Sequence, residues 1–581
     1  MNLYTRQFIA AFLVFAGSLN LWSQPLADGN EKFLGCAWST TQNLNFSIYW
    51  NQVTPENGGK WGSVESNRNI MNWTAMDGAY NLAKTKGFLF KNHTMIWGSQ
   101  QPSWIENLDT AQQRQEIEQW FSLTASRYPG MDFIDVVNEP LHAPPSGAGH
   151  GNYINALGGT GISGWDWVIT SFRMARKYFP NSKLLINEYN IVNSRTNTLQ
   201  YIEIINLLKA DSLIDGIGVQ AHAFSTYGVD AGVIKSNLDL LASTDLPVYA
   251  SELDIDGSSD FQQVKEYMRV FPVFWEHPGV AGITLWGFRY GLWRNTQGAY
   301  LVTQSGVERP AFNWLKAYVN DTLILSQSIT VASSDDTDTI YLDQTLQMSA
   351  SVAPSNATLK NNSWMLFPSG LATISASGLL TPLSSGKVSV RAITWDTGKI
   401  GSKDIVIISR PVETISVTSE GDRDTIALQE TLQLQADVLP ENAADRSVNW
   451  STLPEGIAEI NQAGMLTPLT AGTVTAVARA NDGSGVTDSM RITIVDPTGT
   501  KRITGGNISI YPNPSPDGIF KISGLENISE VSVSDLQGRI IEKKRLNQLG
   551  FLELNLSGYR GIYIVRFSNQ EHYFLRKVVI E

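Results

Sequence analysis

Two short runs in this sequence place carboxyl groups where chemistry could use them. Asp135-Val136-Val137-Asn138-Glu139-Pro140 carries an apolar, strand-like stretch into an amide and a carboxyl group side by side. Ala250-Ser251-Glu252-Leu253-Asp254 ends a second apolar stretch in the same way. Two carboxyl groups raised on strand ends can divide the work of breaking a glycosidic bond. One, protonated, assists the leaving oxygen, while the other attacks the anomeric carbon or activates a water. Retention needs the pair roughly 5–5.5 Å apart, inversion about 6.5–9.5 Å. Glu139 and Glu252 are far apart in the chain, so only the fold can bring them together.

The elements that must position them follow from the pattern of apolar residues. Strand-like runs span Phe33–Ser39, Tyr49–Asn57, Leu89–Trp97, Asp132–Pro140, Lys183–Asn190, Ile214–His222, Pro247–Asp254 and Gly282–Phe288. Helical periodicity occupies Trp73–Lys86, Ala111–Tyr128, Trp165–Tyr178, Asn197–Lys209, Ala231–Ala242 and Phe261–Trp275, with Pro310–Val319 after the last strand. Such alternation predicts an α/β fold, a (β/α)8 TIM barrel. Glu56, Asn57, His93, Trp97, Asn138, Glu139, His222, Glu252, Asp254 and Trp286 collect at the carboxyl ends of these strands. That is the face on which a barrel of this kind carries its active site.

The rest of the chain is organised differently. Its 581 residues suggest roughly four domains at about 150 residues each. A net charge of −12 argues against a nucleic-acid partner, which would need clustered Lys and Arg. Residues 1–23, with Arg6 before an apolar run from Phe8 to Leu21, have the form of a secretory signal. Cys36 is the lone cysteine, so an exported protein must be held by its cores rather than by an intrachain disulfide.

After Asn320 the composition shifts to Ser, Thr, Asp and Val in period-two alternation. Pro354-Ser355-Asn356-Ala357 recurs as Pro440-Glu441-Asn442-Ala443, Trp364 as Trp450, and Gly378–Leu383 as Gly464–Leu469, always 86 residues later. A constant offset predicts two tandem β-sandwiches, over 326–409 and 412–495, each with its Trp in the core. Neither copy shows an aromatic strip, and Trp395 has no counterpart, so both are expected to be spacers. A Gly/Thr-rich linker, 496–507, precedes a small C-terminal β-sandwich over 508–581.

The barrel, over 24–321, resembles glycoside hydrolase family 10, the endo-β-1,4-xylanases. The matching runs are Val53-Thr54-Pro55-Glu56-Asn57-Gly58-Gly59-Lys60-Trp61, His93-Thr94-Met95-Ile96-Trp97-Gly98-Ser99-Gln100, Asp135–Glu139, Gly216-Ile217-Gly218-Val219-Gln220-Ala221-His222 and Ser251–Asp254. The resemblance implies a retaining endo-1,4-β-xylanase without cofactor or metal, acting on xylan and xylo-oligosaccharides. Glu139 would be the acid/base and Glu252 the nucleophile, whose charge would favour protonated Glu139. His222 would hold Glu252, with Asp254 behind it, and Asn138 would bond the sugar 2-hydroxyl. Glu56, Asn57, Lys60, His93 and Gln100 would bind the glycone between aromatic walls at Trp97, Trp286 and Trp293. Gln220 joins the substrate-binding set, and Tyr189 and Asn190 face the leaving group.

The repeats resemble bacterial immunoglobulin-like group 2 domains. The tail, with Ile508-Ser509-Ile510-Tyr511-Pro512-Asn513-Pro514 and Gly561-Ile562-Tyr563-Ile564-Val565-Arg566-Phe567, resembles the C-terminal sorting domain of type IX secretion substrates. It implies export across an outer membrane by the type IX machinery, to the cell surface or the medium; a monomer is expected. Two positions depart from the family pattern. Gly98 stands where a His is usual, and Trp286–Trp293 lacks an acidic residue and brings its second Trp one position early. The departures keep open a glucanase on the same barrel, and the repeats a non-catalytic glycan-binding adhesin.

Overall fold

The computed structural model describes residues 24–146, 152–497, 508–547, 550–569 and 572–581. The signal expected at 1–23 and the linker from 498 to 507 lie outside the described residues.

Eight parallel strands close into a barrel: β1 (Phe33–Trp38), β2 (Gln52–Pro55), β3 (Leu89–Ile96), β4 (Phe133–Asn138), β5 (Lys183–Glu188), β6 (Gly216–Val219), β7 (Val248–Leu253) and β8 (Val280–Leu285). β8 returns to β1 with Phe33 opposite Gly282. Glycine is required there, because a Cβ would meet the Phe33 ring at 2.3 Å. Phe33, Phe133, Leu185 and Tyr249 fill the amino-terminal end of the barrel, with Phe133 and Tyr249 rings 5.2 Å apart. That plug leaves the opposite, carboxyl-terminal end for polar groups.

Local sequence explains where the outer helices begin. Asp109 forms a capping box with Gln112 at the helix Thr110–Arg127. Ser194, Asp230 and Ser259 each accept a backbone N–H at the starts of Arg195–Ala210, Ala231–Ala242 and Asp260–Trp275. Strands fall short of their expected ends more often than helices do. Tyr49, expected in the second strand, lies in a helical turn, Phe46–Tyr49, where its ring packs 4.8 Å from Phe312. β6 keeps only Gly216–Val219, because Gln220 and His222 leave the ladder to serve the barrel mouth.

Beyond the barrel, eight strands between Ser328 and Ile408 form two four-stranded sheets. Eight more between Thr414 and Val495 repeat their order, and among the described residues from Ser509 to Ile580 seven strands form a smaller two-sheet domain. The barrel and the first sandwich pack as one compact unit, in which Leu359 joins the barrel's core. The repeated tryptophans hold the same register, Trp364 opposite Ala392 and Trp450 opposite Ala478. Trp450 is buried as expected, but Trp364 remains half-exposed.

Candidate active site

The two carboxylates reach the barrel mouth by different local devices. β4 stops at Asn138, and Glu139 follows in a left-handed backbone conformation at φ 55°. That conformation costs on the order of 1–3 kcal/mol in a residue with a Cβ and persists only where its surroundings enforce it. Here the Glu139 N–H donates to the Asn187 carbonyl at 2.8 Å, and its own carbonyl accepts from Ala143 at 2.8 Å. Glu252 lies within β7, beside an irregularity in the pairing with β8 between Ala250 and Leu253. Such shifts re-aim side chains near active sites.

A chain of amides joins the pair. Gln220 Nε2 donates to Glu139 Oε1 at 2.9 Å and to Asn138 Oδ1 at 3.3 Å. Asn187 Nδ2 donates to Asn138 Oδ1 at 2.8 Å and to Glu252 Oε1 at 2.6 Å. The Trp97 indole donates to the other oxygen of Glu139 at 2.9 Å. The ends of five strands, β3 to β7, therefore join both carboxylates in one network.

Their ionisation is driven in opposite directions. Burial raises the Glu139 carboxyl, the Gln220 and Trp97 bonds oppose it, and the charges of Glu252 and Glu188 reinforce it, giving about 7. Burial would also raise Glu252, but the neighbouring His93, His222 and Lys91 outweigh it and hold Glu252 well below the usual carboxylate range. His222 moves upward despite burial, because Asp254 and then Glu252 favour its charged form. In that form Nδ1 donates to Asp254 Oδ2 at 2.7 Å and Nε2 to Glu252 Oε2 at 3.2 Å. At neutral pH the pair thus splits into one ionised and one readily protonated carboxyl group, the division that a nucleophile and an acid would need.

The expected rim residues surround this pair. Lys60 Nζ donates to Asn57 Oδ1 at 2.8 Å and lies 5.2 Å from the Trp97 ring centre. Lys60, Trp97 and Gln100 line one small cavity, and burial raises Glu56 beside the Lys60 charge. His93 is buried, with Nδ1 3.0 Å from Asp135 and 3.8 Å from Glu252. Trp286 is also buried, its ring 5.2 Å from His93 and 6.2 Å from His222. Trp293, despite its early position, returns to the site: its indole donates to Asp254 Oδ2 at 2.9 Å and its exposed ring lies 4.7 Å from His222. Across the mouth Tyr189 stacks on His142 at 4.2 Å, and Asn190 accepts from Ser225.

Gly98 has a steric cause. A Cβ there would come within 2.3 Å of the Ala143 and Pro144 carbonyl oxygens, while the Gly98 N–H donates to Ala143. A histidine is excluded by the loop that follows Glu139.

Sequence reasoning missed Asn187, Lys91, Asp135, Glu188 and His142. Buried Lys91 pairs with buried Asp135 at 3.1 Å beneath Glu252. Glu188 accepts from the Leu141 and Tyr189 N–H groups and pairs with His142 at 2.8 Å, tying the β4 and β5 ends together. The signal for Lys91 was available: a charged residue inside an apolar strand run has to be partnered.

Residues 29–318 match the model of glycosyl hydrolase family 10, residues 327–403 and 411–489 that of the bacterial Ig-like domain (group 2), and residues 509–581 that of the secretion system C-terminal sorting domain. The chain is 40% identical over 291 residues to endo-1,4-beta-xylanase B of Cellvibrio japonicus, covering 49% of this chain and 45% of that protein. It is 31% identical over 267 residues to endo-1,4-beta-xylanase 3 of Hypocrea jecorina, covering 45% of this chain and 73% of that one. Among solved structures, a family 10 protein of Paenibacillus barcinonensis aligns with TM-score 0.45 at 24% identity, over 50% of this chain and 95% of its own. Through its barrel, the chain belongs to glycosyl hydrolase family 10.

Proposed function

We propose that this chain is an exported endo-1,4-β-xylanase that cleaves internal bonds of xylan with retention. The observation that carries the proposal is the split ionisation of two carboxyl groups held in one amide network. Glu139, protonated near neutral pH, gives its proton to the departing oxygen as ionised Glu252 attacks the anomeric carbon. Glu139, now ionised, then takes a proton from the water that releases the sugar from Glu252. His222, held by Asp254, keeps Glu252 ionised and oriented. Asn138 bonds the 2-hydroxyl, a contact that tightens as the oxocarbenium character grows. Glu56, Asn57, Lys60, His93 and Gln100 bind the glycone between Trp97, Trp286 and Trp293, and Tyr189 and Asn190 receive the leaving sugar.

The secretion sorting domain supports delivery by the type IX machinery to the cell surface or the medium. The altered Trp286–Trp293 loop favours one second reading, a retaining β-1,4 or mixed-linkage glucanase. Initial rates on xylan, carboxymethyl cellulose and barley glucan test both. Reducing ends should appear fastest from xylan and vanish in Glu252→Ala; faster release from either glucan overturns the xylanase assignment.

A further inference from the structure

The two Ig-like copies share one fold, yet only the first carries an apolar surface that fits the barrel. Leu323, Leu359 and Trp395 all pack against the barrel's core cluster, and Leu359 is 2% exposed. The Trp395 ring lies 5.6 Å from Phe261, and its indole donates to Ser363 Oγ at 2.9 Å. Ile324, on the connecting segment, donates its N–H to Thr358 Oγ1 at 2.9 Å. At the constant offset of 86 residues the second copy has Ser409, Asp445, Asn481 and Ala444 in place of Leu323, Leu359, Trp395 and Thr358. Neighbouring positions keep their identity: Asp396 and Asp482 both accept the N–H that starts their copy, from Ser326 and Val412. The copies therefore differ at the apolar contacts while sharing the framework.

Phe261 is the second residue of the helix Asp260–Trp275. The segment leading to that helix carries Asp254, which holds His222 and Trp293, and Asp256, which pairs with Arg294 at 2.5 Å. Arg309 clamps the helix start through Asp260 at 2.7 Å and the Gly257 carbonyl at 3.1 Å. The first copy thus rests on the element that anchors one side of the active site.

We infer that the first Ig-like domain is an integral part of the catalytic unit, docked through Trp395 on Phe261 and through Leu359 on the barrel's core, whereas the second copy has lost or never acquired that surface. Only the second is a spacer. The inference is independent of which glycan the barrel cleaves.

The test transplants the second copy's residues into the full-length protein as Leu359→Asp with Trp395→Asn, and separately makes Phe261→Asp, which leaves the Ig-like domain untouched. Limited proteolysis of the segment between Asn320 and Gln327 is the readout, followed by fragment masses. Both proteins should be cut about tenfold faster than the parent, because local opening governs cleavage. Asn481→Ala in the second copy should leave the rate unchanged. Unaltered cleavage in both altered proteins overturns the inference. Faster cleavage confined to Leu359→Asp/Trp395→Asn also overturns it, since that pattern reports unfolding of the Ig-like domain rather than undocking.

Discussion

Replacing Trp97 with phenylalanine keeps an aromatic ring beside Lys60 and removes one hydrogen-bond donor from Glu139. The indole N–H stabilises the ionised carboxyl group more than the protonated one, so its loss should raise the Glu139 pKa. A bond to a charged group contributes about 1.5–3 kcal/mol when fully buried. Glu139 is half-buried, and screening brings the figure to about 1 kcal/mol. At about 1.4 kcal/mol per pH unit, the pKa should climb by roughly 0.7 from its starting point of about 7. The acid form of Glu139 then survives to higher pH, and the alkaline limb of kcat/KM moves upward. The assay is the pH profile of kcat/KM on a xylo-oligosaccharide, whose alkoxide leaving group needs the proton. Trp97→Leu removes the same donor and also the ring, so it should show the same limb with a larger KM. An alkaline limb that stays in place or moves down in both variants refutes the assignment of Glu139 as the acid.

Three further outcomes are expected. Glu139→Ala should slow xylan hydrolysis by about 10²–10⁴-fold, the usual worth of a positioned acid. It should slow hydrolysis of an aryl xyloside with an acidic phenol far less, and equal losses on both would contradict the role. Asp254→Asn removes the charge that keeps His222 protonated; Glu252 then loses part of what lowers it, so the acidic limb of kcat/KM should move to higher pH. Lys91→Met strands buried Asp135 and should cost about 3 kcal/mol, read as a lower urea midpoint for the barrel; an unchanged midpoint would show that His93 alone satisfies Asp135.

Period and motif were enough to place most of the fold and both carboxylates. Alternation of apolar strands and amphipathic helices depends on neighbours a few residues apart, so it survives in the sequence, as does the 86-residue repeat. Glu139 and Glu252 were legible because a carboxyl group ending an apolar strand is costly without a use. The strand ends were harder to place. Tyr49 belongs to a helical turn, and Gln220 and His222 leave β6 early, because side-chain packing and barrel-mouth hydrogen bonds override a local apolar run.

What only the tertiary structure decided is how distant residues share atoms. Asn187 bridges Asn138 and Glu252 across strands, and nothing in its neighbourhood in sequence announces that. Gly98 is glycine because Ala143 and Pro144 pass over it, and Trp293 reaches Asp254 despite its early place in its loop. The sequence determined by itself which chemistry was available: two carboxylates, an imidazole and amides at strand ends. The fold decided which carboxyl group would be ionised, because burial and charge at a given atom depend on everything packed around it.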